Sequence, residues 1–172
     1  LSCCIKTSKN SMHFKISCLL FIRNFEGKLL MLKRNKPPNL GLWSPPGGKL
    51  GMGSGESPVE CAQREAMEET GLILEEKDLK LFGYVSEKGY EGTGHWLMFL
   101  FDCKKPISQL PESFDEGSFA FFDRDDIKML SIPDSDHELI WPYYDKRDEG
   151  VWGIRADWTD GKPNIMIESN HK

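Results

Sequence analysis

The segment from Ser57 to Leu72 constrains this chain more tightly than any other. Ser57 can cap a helix through its side-chain oxygen. Pro58 suits the first helical position, and Glu60 stands where a capping-box partner reaches back to the cap. Gly71 can take the left-handed conformation that closes a helix. The spacing therefore predicts a helix over about Pro58 to Thr70 with both ends set by local chemistry. Positions three and four apart share a helix face, so Glu65, Glu68 and Glu69 project together. At about 4 Å and an effective dielectric near 20, each like-charged pair costs on the order of 4 kcal/mol, and much less when solvated.

Two readings follow. One is a solvated acidic face. The other is a site for a hard divalent cation, which prefers oxygen ligands, keeps several waters and bridges to phosphates. A solvated face more often carries Lys four residues after Glu; after Glu65 and Glu68 the residues there are Glu69 and Leu72. The glycine-rich entry from Gly47 to Gly55 brings backbone N–H groups towards a helix N-terminus, an arrangement that suits anions, although such a loop can equally be a simple turn.

The 172 residues fit one domain, or a domain plus extensions, and 39% hydrophobic with 28% charged residues is an ordinary globular balance. A formal net charge of −5 lacks the basic footprint of a surface that coats nucleic acid. The expected partner is a small-molecule nucleotide, with no nucleic-acid polymer and no membrane. No apolar run approaches the roughly 18–20 residues of a membrane span. Five widely spaced cysteines form neither a CxxC nor a zinc-finger pattern, which reads as free thiols in a reducing, cytoplasmic compartment. Residues 1–11, rich in Ser, Lys and Cys, are expected to be a flexible leader or an expression remnant, with the domain over 12–172.

Elsewhere, His13 to Arg23 and Lys28 to Lys33 read as two strands of a hairpin around Asn24–Gly27. Further strands are expected at about Leu79 to Ser86, His95 to Asp102 and Ser118 to Phe122. One late helix is expected from about Asp134 to Asp145, then a hairpin around Asp160-Gly161. Mixed strands with two helices indicate an α+β single domain.

Gly47-Gly48, Glu56 and the run Arg64-Glu65-Ala66-Met67-Glu68-Glu69-Thr70-Gly71-Leu72 resemble the Nudix box, GX5EX7REUXEEXGU, in which U is bulky and aliphatic. From Glu56 onward the spacing matches. Between Gly48 and Glu56 it departs, because Lys49 to Gly55 is two residues longer than the pattern. The resemblance implies a Nudix αβα sandwich with a mixed central sheet and hydrolysis of a nucleoside-diphosphate linkage with Mg²⁺, or Mn²⁺ in its place. It also implies that Glu65, Glu68, Glu69 and the Gly48 carbonyl bind metal, that Arg64 orients the acids, and that Glu68 or Glu69 accepts the proton of the attacking water. Glu56 is then a support for Arg64 and the loop. Glu116 stands where some members carry an extra catalytic carboxylate; an exposed loop acid is the equal alternative.

The substrate is less constrained. The layout resembles MutT-type oxidised purine nucleotide diphosphatases. Ser44 stands where some of these carry a base-reading amide, and Ile132-Pro133-Asp134-Ser135 where they carry a Trp-Pro-Asp-Asp type loop. Asp134 either reads a base edge or caps the late helix. Lys33, Arg34 and Lys49 are candidate phosphate contacts, or solvated cations. Trp43, Trp96, Trp141 and Phe25 either stack on a base or pack in the core, and Tyr90 stands roughly where dinucleoside polyphosphate hydrolases carry a tyrosine. Three functions remain open: a MutT-type pyrophosphohydrolase releasing a nucleoside monophosphate and pyrophosphate; a hydrolase of another X-linked nucleoside diphosphate such as a dinucleoside polyphosphate or nucleotide sugar; and a silent nucleotide-binding module.

Overall fold

The structure, a computed structural model, describes residues 13–37, 39–90 and 94–171; the expected leader over residues 1–11 lies outside them. A five-stranded mixed sheet is built from β1 (Phe14–Phe21), β4 (Leu79–Tyr90), β5 (Gly94–Cys103), β7 (Val151–Asp157) and β8 (Asn164–His171), in the order β1-β5-β4-β7-β8. β1 runs parallel to β5 and β4 parallel to β7, while the β4–β5 and β7–β8 pairs are antiparallel. A second, antiparallel sheet has the order β3-β2-β6, from β2 (Leu29–Arg34), β3 (Trp43–Ser44) and β6 (Gly117–Phe122). Among the described residues the helices are α1 (Pro58–Thr70), the short α2 (Arg124–Ile127), α3 (Asp136–Leu139) and α4 (Trp141–Asp145), besides a 3₁₀ turn at Glu76–Asp78. None is long and apolar enough to cross a membrane.

Strand alternation feeds two cores. On one face of the large sheet, Cys18, Leu20, Ile22 and Phe101 pack with Cys61, Ala62 and Ala66 of α1. These small helix residues let α1 lie close to β1. On the other face, Phe21, Phe82, Val85, Leu100 and Ile154 pack with Ile127, Leu139, Ile140, Trp141 and Tyr144. Helices thus cover both faces, which gives the αβα sandwich expected from the sequence.

Two expectations need correction. β1 and β2 begin as a hairpin, since the Asn24 side chain accepts from the Glu26 and Lys28 N–H groups and Leu30 N–H donates to the Ile22 carbonyl. The strands then part into different sheets. The reason lies in Leu29-Leu30-Met31-Leu32, where Leu29 and Met31 enter one core and Leu30 and Leu32 the other. β2 is thereby held between the two cores with β3 and β6, while the chain entering α1 takes the free edge of β1, with Leu20 N–H donating to the Pro46 carbonyl and Cys18 N–H to the Gly48 carbonyl. The late helix is also two short ones, broken at Ile140 (φ −120°, ψ −61°). Pro142 has no N–H for a continuous ladder and instead occupies the first turn of α4. The cap of α3 is Ser135, not Asp134.

α1 matches its sequence signature at both ends. Glu60 N–H donates to Ser57 Oγ at 3.2 Å and Ser57 N–H to Glu60 Oε2 at 2.8 Å. Gly71 sits at φ +70°, and its N–H donates back to the Met67 carbonyl at 3.0 Å.

Candidate active site

The chain entering α1 lies along β1. Leu20 N–H donates to the Pro46 carbonyl at 2.8 Å, Cys18 N–H to the Gly48 carbonyl at 2.9 Å, and Leu50 N–H to the Ile16 carbonyl at 3.0 Å. The approach requires glycine twice. A Cβ on Gly47, at φ +149°, would lie 2.2 Å from the Cys18 carbonyl oxygen, and one on Gly48 would lie 2.1 Å from Glu65 Oε1. Gly48 is therefore the floor against which the first acid of α1 rests.

Arg64 organises the acids. Its Nε and Nη2 donate to the two oxygens of Glu56 at 2.7 and 2.9 Å, and its Nη1 donates to Glu65 Oε1 at 2.7 Å and Glu68 Oε2 at 2.9 Å. Nη2 also donates to the Lys49 carbonyl at 3.0 Å. Gly51 N–H donates to Glu56 at 2.7 Å, so Glu56 pins both arginine and loop. These donors hold the Glu56 carboxyl down at about 2, with Arg64 the larger cause. The two extra loop residues leave this clamp intact.

The three acids of α1 have different surroundings. Glu68 is 59% exposed beyond its bond to Arg64, whereas Glu65 is 12% exposed. Burial raises the Glu65 carboxyl, Arg64 opposes this, and Glu68 and Glu116 add to it. Glu69 is pushed up to about 8, first by burial and then by Glu65; Gly47 N–H, which donates to it at 3.0 Å, and Arg34 pull the other way. Glu116, next to β6, raises both Glu65 and Glu69; its carbonyl accepts from Asn35 N–H at 2.7 Å, while its carboxylate has no hydrogen bond or ion pair among the described residues. The acids thus face one another without enough positive charge between them.

Among the described residues, no three acid, His or Cys side chains converge closely enough to hold a metal ion as they stand. The donor set nevertheless fits one. Arg64 engages one oxygen of Glu65 and one of Glu68, Gly47 engages one of Glu69, and the second oxygens accept no hydrogen bond among the described residues. The Gly48 carbonyl accepts from Cys18 N–H at 2.9 Å and otherwise only from the Cys61 thiol at 3.7 Å, a weak donor that a cation would displace. A divalent cation would offset the burial and, after it, the repulsion between acids that raise Glu65 and Glu69.

These residues border a cavity of about 470 Å³ lined by Gly47, Gly48, Lys49 and Glu65 at the box, Arg34, Lys36 and Ser44 from the second sheet, Glu116, and Ser17, Trp96, Met98, Asp136 and Ile140. The structure thus brings Gly48, Glu65, Arg34, Ser44, Lys49 and Glu116 to one cavity, with Glu69 against its glycine wall. Other expected residues lie elsewhere. Lys33 sits over the Trp43 ring, 5.9 Å from its centroid, and Glu68 turns towards Arg64 and solvent. Asp134 is exposed and outside the lining. Trp141 is core, Trp43 packs on Phe122, Phe25 is exposed, and Tyr90 packs on Trp158; Trp96 is the indole that reaches the cavity.

The acid that does reach the cavity from α3 is Asp136, which sequence reasoning missed. It is buried, and burial first, then the nearby Glu87, push its carboxyl up to about 8. Glu87 accepts from the Trp158 indole N–H at 3.1 Å. A signal for Asp136 was present. Asp136, Leu139, Ile140, Tyr143 and Tyr144 fall at i, i+3, i+4, i+7 and i+8, the stripe that faces a core. Cys18, Cys61 and Cys103 are free and buried, as expected of thiols in this pattern.

The chain also resembles known proteins. The model of the NUDIX domain matches residues 13–141. An uncharacterized Nudix hydrolase of Bacillus subtilis, YvcI, is 32% identical over 116 residues, 67% of this chain and 70% of the relative. An ADP-ribose pyrophosphatase of Methanocaldococcus jannaschii is 32% identical over 115 residues, 67% of this chain and 64% of the relative, so the match spans less than two thirds of that protein. Among solved structures, a MutT protein from Bacillus halodurans superposes with a TM-score of 0.70 at 20% identity, over 90% of this chain and 97% of its own. The NUDIX domain of Shewanella oneidensis NrtR, complexed with ADP ribose, gives a TM-score of 0.60 at 18% identity, over 80% of this chain and 88% of its own. At these identities the structural likeness speaks for the fold, while the domain match over residues 13–141 decides the family: the chain belongs to the Nudix hydrolases.

Proposed function

We propose that the chain hydrolyses a diphosphate bond in a nucleoside triphosphate with Mg²⁺, or Mn²⁺ in its place, releasing a nucleoside monophosphate and pyrophosphate. The observation that carries this reading is the placing of Glu65 and Glu116 on one cavity, with Glu69 bound to its glycine wall through Gly47 N–H, where Arg34, Lys36 and Lys49 also stand. Acids that repel one another, next to cations that can take phosphate, are what a metal-bridged polyphosphate would neutralise.

Glu65, Glu69 and the Gly48 carbonyl would hold the metal, with Glu68 reaching it from the rim. Bound there, the ion supplies charge neutralisation at the phosphoryl oxygens and a lowered pKa for the attacking water. Arg64 fixes the rotamers of Glu65 and Glu68, and Glu56 fixes Arg64. Arg34, Lys36 and Lys49 orient the phosphates, and Ser44 and Asp136 offer polar contacts for the base. Glu116, unengaged, is the group we assign to take the proton of the attacking water, with Glu69 next to it. Positioning and charge stabilisation then carry the reaction without a covalent intermediate.

ADP-ribose is the second reading, favoured by the relative that carries that activity in its name. A panel of nucleoside triphosphates, ADP-ribose, dinucleoside polyphosphates and nucleotide sugars, with phosphate and pyrophosphate both measured, separates the two. Pyrophosphate release from triphosphates supports the first; turnover of ADP-ribose alone overturns it in favour of the second. Tight nucleotide binding without turnover in Mg²⁺ or Mn²⁺ would show a silent module and overturn both.

A further inference from the structure

Where β1 and β5 wall the cavity, Trp96 and Lys49 line it, and Lys15 stands over Trp96 outside the lining. Lys15 of β1 and Trp96 of β5 are register partners in the parallel pair, and Ser17, two residues on from Lys15, forms a bridge with Lys49. The Lys15 ammonium lies 5.1 Å from the centroid of the Trp96 ring, and the Lys49 ammonium 5.7 Å from the same ring. Both distances are within cation–π range, so one indole holds two ammonium groups. Neither ammonium has a carboxylate within ion-pair distance among the described residues, whereas Lys28, Lys77, Lys80, Lys88 and Lys128 each have one. The acid on the far side of Trp96 in the sheet, Glu87, is buried and accepts from Trp158.

We propose that Lys15, Trp96 and Lys49 form a subsite for the terminal, anionic end of the substrate's polyphosphate chain. Two ammonium groups carried by one ring, neither paired with a carboxylate among the described residues, offer a phosphate group positive charge from two side chains. The indole acts as a platform that keeps both long side chains in place, so less rotamer freedom is lost when the anion arrives. The position suits a leaving group. Lys49 and Trp96 line the same cavity as Gly48 and Glu65, so a phosphate held there belongs to the same polyphosphate chain as a phosphorus attacked at the acids. Resting on the reading of the site as a diphosphate hydrolase, the subsite selects among its substrates. It favours a nucleoside triphosphate, whose distal end is anionic, over a nucleoside diphosphate linked to a neutral sugar.

The probes are inorganic tripolyphosphate for binding, followed by calorimetry, and GTP and ADP-ribose for turnover. Lys15 is exposed, so Lys15→Ala should fold as the parent does. Lys15→Ala and Trp96→Leu are each expected to weaken tripolyphosphate binding about fivefold at low salt, with the difference shrinking as salt rises. Trp96→Phe, which keeps an aromatic platform, should weaken it less than Trp96→Leu. kcat/KM for GTP should fall about fivefold in Lys15→Ala through KM, with a change of no more than about twofold for ADP-ribose. Unchanged tripolyphosphate affinity in both Lys15→Ala and Trp96→Leu overturns the proposal, as does an equal loss of GTP and ADP-ribose turnover. A parent protein that binds tripolyphosphate in a Lys15-dependent way yet hydrolyses no nucleotide leaves the subsite standing and refutes the proposed activity instead.

Discussion

Helix α1 and the late helical segment sit on opposite faces of the same sheet and reach the same cavity, yet they are specified in different ways. α1 is closed at both ends by its own residues, and its acids are ordered by an arginine one turn away. The segment from Asp136 to Asp145 has no side-chain cap at either of its helices, breaks at Ile140, and is held by Leu139, Ile140, Trp141 and Tyr144 in the core. The part that handles charge is thus built from local chemistry, and the part that shapes the cavity floor from tertiary packing.

The comparison can be broken in several ways. The largest expected effect is in α1: Glu69→Gln should lower turnover about a hundredfold or more while leaving the melting temperature close to the parent's, because an amide keeps the acceptor for Gly47 N–H but not the charge. Near-parental Mg²⁺-dependent turnover would remove Glu69 from the mechanism. Next is Arg64→Ala, which leaves the half-buried Glu56 and Glu65 without their cation. It should cost about 3 kcal/mol in urea denaturation, and a loss below 1 kcal/mol would show that the clamp is not structural.

The sign of the pH dependence separates the two regions further. The Asp136 carboxyl is raised to about 8 in the folded protein, so the folded state binds its proton more tightly than the unfolded state does. Its contribution to stability is complete below its ordinary range near 4 and is lost as pH rises through 8. Asp136→Asn, which cannot ionise, should therefore melt higher relative to the parent at pH 9 than at pH 4; a constant difference contradicts the assignment. Glu56 behaves oppositely. Its carboxyl is held near 2, so its stabilisation is present above pH 4.5 and lost as pH falls towards 2. The smallest effects compare the helix ends. Ser57→Ala should cost about 1 kcal/mol, and Pro142→Ala within about 0.5 kcal/mol of zero, because packing rather than capping sets α4.

Legibility in the sequence follows the same division. Ser57, Pro58, Glu60 and Gly71 act on residues three or four away, so the bounds of α1 could be read directly. The β1–β2 turn was readable for the same reason, through the Asn24 side chain. The parting of the two strands was not, because it depends on two cores that only the whole fold creates. The carboxylates of α1 were legible as a cluster, but their ranking was not. Burial beside Gly47 and Gly48 distinguishes Glu65 and Glu69 from the exposed Glu68. Asp134 stands out only by its place in a loop motif and is exposed, whereas the start of α3 turns Asp136 inward.

The central claim is that the acids of α1, Glu116 and the Gly47-Gly48 floor perform metal-assisted diphosphate hydrolysis. Metal removal tests it most directly. Pyrophosphate release from nucleoside triphosphates by the parent protein should vanish after chelation with EDTA and return on titration with Mg²⁺ or Mn²⁺. Release that persists unchanged in EDTA, or that neither metal restores in a protein still folded by circular dichroism, would contradict the account.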